Sequence, residues 1–332
     1  MRNKLPANQI FNEIPEKLIE RLSDIATKSG WDQPLRGRRH YSASAMIMAI
    51  ILFYIKQLNS LEALVCHLKH TSDAKDACGF GKDEGVPSRS TFSRFMHFIG
   101  PDPFEQFFYE LVDYLQAQGK VRGRHLAIDS THVPAWSDRK SKDKKSPNFT
   151  IAKNCDYARV GRTPKGFGVC YRVQTATITH SEIPIAVQVL PGNVNDKKAF
   201  EDILAKSLEV IPKPTAVSAD KGYSSMKNRT LIQEAGASSI IRPNKTDLKN
   251  KSIQDFLPPD MSEYTYWKVY WRRNAVERTF AYAKGYCGLG NPRVVNKNPV
   301  KQHVFLSFCI LLLIKIACSE MGLEKTKYSI FV

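Results

Sequence analysis

The sequence predicts a helical N-terminal domain, residues 1–120, followed by a mixed α/β domain, residues 121–332, in which helices flank a sheet. Apolar residues recur at helical spacing in the first part, whereas short strand patterns alternate with helix patterns in the second. Charge is divided at the same place. Residues 1–120 hold 15 Lys and Arg against 14 Asp and Glu, and residues 121–332 hold 34 against 18. A chain of 332 residues with 42% hydrophobic residues is long enough for two domains with buried cores.

The N-terminal part is predicted to begin with a pair of long apolar helices. The stretch "SASAMIMAIILFYIKQLNSLEALVCHLKH" is apolar at helical spacing and is interrupted near Asn59 and Ser60. A serine at such an interruption is a favourable residue for capping the next helix. We therefore expect one helix before Asn59 and another after Ser60.

A further helix is predicted in "GVPSRSTFSRFMHFIG", where Pro87 and Ser88 are suited to a helix entry. Phenylalanines then alternate with short polar residues and with Arg89 and Arg94. This pattern is typical of a helix-turn-helix recognition helix, and it fits an ordinary amphipathic surface helix equally well. Arg89 and Arg94 are accordingly candidate DNA contacts.

The basic excess of residues 121–332 predicts a polyanionic partner for that part of the chain. Nucleic acid is favoured over a membrane surface because no basic amphipathic anchor is evident. The apolar run "HVFLSFCILLLIKIA" is short for a bilayer and contains Lys315, so we expect a buried helix. The seven scattered cysteines and the absence of a signal-peptide pattern predict a reduced, cytoplasmic protein.

The second part is predicted to begin with a buried strand, "HLAIDSTHV", which contains Asp129. A basic loop, residues 136–165, follows with nine Lys and Arg and three Asp, and its composition is that of a mobile segment. Such a loop can clamp phosphates or can simply be a solvated linker. Two strands joined by a tight turn come next, then a helix capped by Asp196, and then a strand ending at Asp220. A helix, a strand and a final helical stretch complete the pattern.

Three carboxylates are candidates for catalysis. Asp129 and Asp220 lie on predicted buried strands, and Glu277 lies on a predicted helix. Hard divalent cations prefer several carboxylate oxygens, and two such ions can activate an attacking hydroxyl and stabilise a leaving oxygen of a phosphodiester. A lone aspartate at a strand end is usually a turn former or a helix cap, but three carboxylates in a basic part of the chain suit this chemistry. They are therefore candidate ligands of Mg²⁺, two ions being expected, for which Mn²⁺ can substitute.

The stretch "YWRRNAVERTFAYAK" is predicted to form one helix with a polar stripe. At about 100° per residue, Tyr270, Arg273, Glu277 and Lys284 fall within roughly 60° of one another. Apolar residues occupy the opposite side. A stripe of this composition fits either a solvent-exposed face or a face that contacts DNA and metal.

These residues carry a resemblance to a known family. The spacing of Tyr270, Arg273, Glu277 and Lys284 matches the Y-R-E-K signature of bacterial insertion-sequence transposases of the DDE type. The segments "AIDSTHV" and "SADKGYSS" resemble the first- and second-aspartate segments of that family, and "PSRSTFSRF" is similar to its helical N-terminal region. Some relatives carry a strand-rich insertion before the glutamate, for which the 56 residues between Asp220 and Glu277 leave little room.

The resemblance implies a ribonuclease-H-like fold with metal-bound Asp129, Asp220 and Glu277. It also implies that Tyr270, Arg273 and Lys284 contact the cleaved DNA end. The implied partners are double-stranded transposon ends and target DNA, with a homodimer in the complex. Four neighbouring residues either contact phosphate or lie at the surface: Lys221, Tyr223, Arg272 and Arg278.

Two other functions remain compatible with these residues. A ribonuclease-H-like nuclease or resolvase would cut DNA without joining it, and an inactive regulator would only bind DNA. The complete set of three acidic residues argues against the inactive regulator. Strand transfer, or inverted repeats flanking the coding region, would separate a transposase from a nuclease.

Overall fold

The fold is described from a computed structural model, which describes residues 7–28, 30–31, 41–81, 85–163, 166–249 and 251–323. The helices are α1 Ala7–Asn12, α2 Glu16–Lys28, α3 Ala43–Ile55, α4 Leu61–His70, α5 Ser72–Ala77, α6 Arg89–Ile99, α7 Asp102–Ala117, α8 Asp196–Val210, α9 Met226–Glu234, α10 Glu263–Tyr270, α11 Asn274–Tyr286 and α12 Lys297–Glu320. The strands are β1 His125–Pro134, β2 Arg159–Thr163, β3 Gly166–Ile178, β4 Ile183–Pro191, β5 Ala216–Ala219 and β6 Ser238–Ile241.

The chain divides into two compact units that are interleaved along the sequence. The first contains the described residues up to Leu111, the segment Tyr282–Leu289 and the described residues from Asn298 onward. The second contains Val112–Ala281 and Gly290–Lys297. The division after residue 120 stays a prediction from the sequence.

The first unit has a helical core built around α3 and α12. Serine side chains cap the helices where the sequence predicts it, since Ser60 accepts from the Ala63 amide at the start of α4 and Ser88 from the Thr91 amide at the start of α6. His303 of α12 contacts the Tyr54 hydroxyl (2.8 Å) and the Gly288 carbonyl (3.0 Å) inside this core. By length and composition α12 is able to cross a bilayer, but 78% of its most apolar window is buried in the protein.

The second unit is a six-stranded mixed sheet. Strands β1, β5 and β6 are parallel neighbours, β3 is antiparallel to β1, and β4 is antiparallel to β3. This arrangement gives the order β4-β3-β1-β5-β6 of a ribonuclease-H-like sheet, so the predicted fold class is confirmed. Helix α8 packs against β3 and β4, and α10 packs against β5 and β6.

The basic segment 136–165 is more ordered than its composition predicts. Its described residues include a 3-10 turn, Pro147–Thr150, and the strand β2, which pairs with the first residues of β3. Two isolated bridges join Arg139 to Ala152 and Ile151 to Arg159. The mobile-loop expectation is wrong for these residues because backbone pairing, which composition does not reveal, fixes the segment; residues 164 and 165 lie outside the described residues.

Gly192 is the tightest point between β4 and α8. A Cβ atom at this position would lie 2.5 Å from the Cys170 carbonyl oxygen and 2.7 Å from that of Arg159. Both contacts involve backbone atoms, which cannot move without shifting β2 and β3. The absence of a side chain therefore allows the chain to pass directly from the sheet into the segment that precedes α8.

We expect Gly192→Ala to lower the free energy of unfolding by more than about 2 kcal/mol, because the methyl group overlaps backbone. Gly285→Ala is the matched control, since Gly285 lies within α11 and a Cβ there meets no atom within 4 Å. The control should raise stability by about 0.5–1 kcal/mol, the usual gain for alanine in a helix. Denaturant unfolding of both variants checks this, and equal small effects would contradict it.

Candidate active site

Two of the predicted carboxylates come from neighbouring inner strands, at the point where the pairing of β1 with β5 ends. Ile128 of β1 pairs with Ala219, the last residue of β5; Asp129 follows Ile128 within β1, and Asp220 directly follows β5. Neighbouring strands are about 4.8 Å apart, so the two backbones enter the site as neighbours. Asp220 also begins the 3-10 turn Lys221–Tyr223, which directs the chain away from the sheet.

Arg273 joins the third carboxylate to the first. Its Nη1 donates to Asp129 Oδ2 at 2.7 Å, and its Nη2 donates to Glu277 Oε1 at 2.5 Å. The Arg273 side chain is only 10% exposed, whereas that of Glu277 is 52% exposed. The guanidinium lies 5.6 Å from the centre of the Tyr270 ring, which is itself buried. One guanidinium thus forms ion pairs with two carboxylates from different elements.

The segment that carries these residues is not one helix. α10 ends at Tyr270, a 3-10 turn covers Trp271–Arg273, and α11 begins at Asn274. The prediction of a single helix is therefore wrong, and of the two readings of the polar stripe the solvent-exposed one does not hold for Tyr270 and Arg273, which are buried. The helical spacing of 100° per residue does not hold across a 3-10 turn. Nor does the residue type of an arginine reveal that its side chain is buried.

Burial raises the pKa of Asp129 to about 6. The positive charge of Arg273 and a hydrogen bond from the Ser130 amide oppose this shift, and the negative charges of Asp220 and Asp196 add to it. The carboxyl group therefore lies in a site where ionisation is costly unless a cation is close. Its coupling to Asp220 is consistent with the neighbouring strand positions.

Asp196 occupies a second polar cluster on the opposite face of β1. It forms an ion pair with Arg172 and accepts hydrogen bonds from the Ser130 hydroxyl (2.8 Å) and the Gln174 amide (3.4 Å). The predicted helix-cap role of Asp196 is wrong, because Asn195 caps α8 by accepting from the Lys197 amide. Asp196 instead joins the start of α8 to the strands beside Asp129.

Sequence inspection missed Arg172 and this role of Asp196. Ser130 and Gln174 are directly paired across β1 and β3, so their side chains share a face, and Arg172 lies two residues away on that face. Alternating polar residues in two adjacent strands are the signal that would have found the cluster, but their pairing register is not visible in the sequence.

The remaining candidate residues are more dispersed. Tyr223 is buried and is therefore not a surface residue. Its pKa is raised mainly by burial and further by the negative charges of Asp196 and Asp129. Arg278 pairs with Glu182 at 2.6 Å, whereas Lys221 and Arg272 are exposed. Lys284 lies two turns beyond Glu277 on α11, where burial lowers its pKa.

The two arginines predicted to read DNA lie at the surface of α6. Arg89 pairs with Glu62 of α4 at 2.6 Å, and both side chains are largely exposed. Arg94 donates to the Ser90 carbonyl oxygen of its own helix at 3.3 Å. These contacts hold the side chains only weakly, since an exposed ion pair contributes about 0–1 kcal/mol.

The donor set suits a hard divalent cation, but the described residues do not form a ready metal cage. Three carboxylates are the oxygen ligands that Mg²⁺ prefers, and two of them enter on neighbouring strands. Within the described ranges, no group of three or more His, Cys, Asp or Glu side chains is spaced to hold a metal ion. Arg273 lies between Asp129 and Glu277, where a shared cation would bind.

Comparison with protein families identifies the chain. Residues 121–313 match the model described as the transposase DDE domain, and residues 1–97 match a transposase domain of otherwise undefined function, DUF772. The chain belongs to the DDE transposase family. It is a transposase of the insertion-sequence type, and therefore an enzyme. Members of this family use a divalent metal ion.

Individual relatives are distant. The chain is 23% identical over 297 residues to the "Probable transposase for insertion sequence element ISH11" in two strains of Halobacterium salinarum, covering 86% of this chain and 82% of the relative. Among solved structures, the piggyBac transposase synaptic complex with hairpin DNA aligns with a TM-score of 0.44 at 10% identity, over 97% of this chain and 77% of that one. A pre-cleavage Mos1 transpososome aligns with a TM-score of 0.25 at 10% identity, over 90% and 83%.

The raised pKa of Asp129 predicts a pH dependence of stability in the metal-free protein. Between about pH 4 and pH 6 the folded carboxyl binds a proton that the unfolded chain does not bind. The free energy of unfolding should therefore fall as pH rises through this window, by roughly 2–3 kcal/mol, and the contribution should be lost above pH 6.

Asp129→Asn should abolish this component, so the difference in stability between wild type and variant should change with pH. Urea unfolding in EDTA from pH 4 to pH 8 measures it. The exposed Asp138→Asn is the control and should leave the pH profile of the wild type unchanged. A wild-type profile parallel to that of Asp129→Asn would contradict the assignment.

Proposed function

We propose that this transposase binds the inverted-repeat ends of an insertion sequence, cleaves them and joins them to target DNA. Asp129, Asp220 and Glu277 are the proposed catalytic residues. The observation that carries this proposal is that one buried arginine joins Asp129 of β1 to the helical Glu277, while Asp220 directly follows the strand β5 that pairs with β1. An acidic cluster within a chain of net charge +17 suits phosphodiester chemistry on a polyanion.

Asp129, Asp220 and Glu277 are also the proposed ligands of two Mg²⁺ ions, with Mn²⁺ as a substitute. When bound, such ions activate the attacking oxygen and stabilise the leaving oxygen of a phosphodiester. The oxygen-only donor set fits these ions. Asp129 and Glu277 each give one carboxylate oxygen to Arg273, so the arginine competes with a metal ion for both ligands.

Arg273 has a natural alternative partner in DNA. A guanidinium binds a phosphate with the same paired geometry that it uses for a carboxylate. We infer that the phosphate of the bound end draws Arg273 from Asp129 and Glu277, and so exposes both carboxylates. Tyr270 then remains beside the guanidinium, and Lys284 supplies a further cation along α11.

The N-terminal helices are proposed to contribute recognition of the ends. Arg94 and Arg89 of α6 lie at the surface, and the ion pair between Arg89 and Glu62 is exposed enough to exchange for a phosphate or base edge. A homodimer on paired ends, in the cytoplasm at the nucleoid, completes the proposal.

Among the described residues between Asp220 and Glu277, the one strand is β6, and the other elements are short helices and turns. This agrees with the expectation that the interval leaves little room for a strand-rich insertion. We therefore propose no step that depends on such an insertion.

Glu277→Gln should leave folding and end binding intact and lower end cleavage by about 100-fold or more. The amide still accepts a hydrogen bond from Arg273 but is a poor metal ligand, and the loss of several kcal/mol of transition-state stabilisation has this size. The measurement is single-turnover cleavage and strand transfer of end DNA in Mg²⁺.

Glu234→Gln, an exposed glutamate at the end of α9, is the control and should cleave like wild type. Near-normal cleavage by Glu277→Gln would contradict the assignment of Glu277. Cleavage by the wild type without any strand transfer would instead favour a nuclease.

A further inference from the structure

A basic arm extends from the sheet beyond the end of β1. We define the arm as residues 135–163 and 166–170. Pro134, the last residue of β1, pairs with Cys170 of β3, and the preceding residues of β3 pair with β2 instead. At about 3.3 Å per residue, the arm starts roughly 17 Å beyond Asp129 along β1, and β3 extends it by roughly 13 Å.

The arm is braced from within. Backbone bonds join Lys140 to Ile151 (2.9 Å) and Lys153 to Asp138 (2.8 Å). The Arg139 guanidinium stacks 4.7 Å from the centre of the Phe149 ring and donates to the Phe167 carbonyl oxygen. The lysines at its surface are therefore displayed on a fixed backbone.

The surface of the arm is strongly cationic. Six exposed cations have no acidic partner among the residues that the structure describes: Lys140, Lys142, Lys144, Lys145, Lys153 and Arg162. Asp143 lies among them, but its Oδ1 accepts from the Lys145 amide, so the carboxylate is used to form the turn. Two exposed aromatic side chains flank this surface, Trp136 (62% exposed) and Phe167 (67% exposed).

A cluster of exposed, unpaired cations on an ordered backbone fits a regular polyanion. DNA presents phosphates every 3.4 Å along each strand, and each lysine that neutralises one releases condensed counterions. A carboxylate-rich protein partner would call for paired, partly buried arginines, whereas these lysines are all solvated. Duplex DNA is therefore the partner that the arm fits best.

We propose that the basic arm binds the backbone of the same duplex that is cleaved, about five to nine base pairs from the phosphodiester held at Asp129. This distance takes the duplex to lie along β1 and β3, and divides the roughly 17–30 Å reach of the arm's backbone along these strands by about 3.4 Å per base pair. The distance rests on the proposed catalytic role of Asp129, whereas the binding itself does not. The contacts are to phosphates, so they contribute affinity and register but no sequence preference.

The test compares two charge-matched triple variants of the full chain. The arm variant is Lys142→Gln, Lys144→Gln and Lys145→Gln. The control is Arg122→Gln, Arg124→Gln and Lys213→Gln, which removes three exposed cations that precede β1 and β5. Binding to a random 30-base-pair duplex is measured in EDTA between about 50 and 200 mM salt, so neither metal nor cleavage is required.

We expect the arm variant to lose 2–3 units of the slope of log K against log salt, about 0.9 per lost phosphate contact. The wild type should then lose roughly 40-fold more affinity than the arm variant across this salt range. The control should keep the wild-type slope. An arm variant with the wild-type slope, or one that matches the control, would overturn the proposal.

Hydroxyl-radical footprinting on end DNA tests the position. Protection five to nine base pairs from the cleavage site should disappear in the arm variant while protection at the cleavage site remains. Loss of protection elsewhere would overturn the stated distance. If Glu277→Gln proved fully active but the slope still fell, the proposed active site would fail and the arm would stand as a DNA contact.

Discussion

The ion pairs of Arg273 are the interaction on which the candidate site depends. Asp129 comes from the first strand of the sheet and Glu277 from a helix 148 residues later, and one guanidinium binds both. Without that cation, the buried Asp129 carboxylate would remain uncompensated in a site that already raises its pKa. The arginine therefore stabilises the acidic residues together before any metal or DNA is present.

The position of Arg273 also accounts for the break in the backbone between α10 and α11. To bring Arg273 to the depth of Asp129, a 3-10 turn follows α10, and α11 begins directly after that turn. Tyr270 lies beneath the guanidinium and belongs to the apolar cluster formed with Tyr266, Ala216 and Ile240. The same residues that pack α10 against β5 and β6 thus set the position of the arginine.

The sequence predicted the parts of this fold that local patterns determine. The sequence correctly predicted the serine caps at Ser60 and Ser88, the strand that ends before Asp220 and the order of the elements, because these follow from short-range preferences and periodicity. Asp129 is not at a strand end, since β1 continues beyond it. The sequence could not predict which polar residues are paired inside. Arg273 resembles a surface residue until Asp129 is placed beside it.

The same limitation applies to the opposite face of β1 and to the basic arm. Asp196 has the sequence context of a helix cap, but a neighbouring asparagine takes that role while Arg172 engages the aspartate. The order of the arm depends on backbone pairing between Arg139 and Ala152, which composition alone does not indicate. In both places the deciding contact joins residues far apart in sequence.

The account requires Arg273 and a divalent cation to compete for Asp129 and Glu277. Titration of Mn²⁺ in the absence of DNA, followed by electron paramagnetic resonance, tests this most directly on Arg273→Ala and on the exposed neighbour Arg272→Ala. Circular dichroism on the same samples confirms that both are folded. Arg273→Ala should bind Mn²⁺ about tenfold more tightly than wild type, since a competing charge-assisted contact of about 1.5 kcal/mol is removed, and Arg272→Ala should match wild type. Equal or weaker Mn²⁺ binding by folded Arg273→Ala would contradict the account.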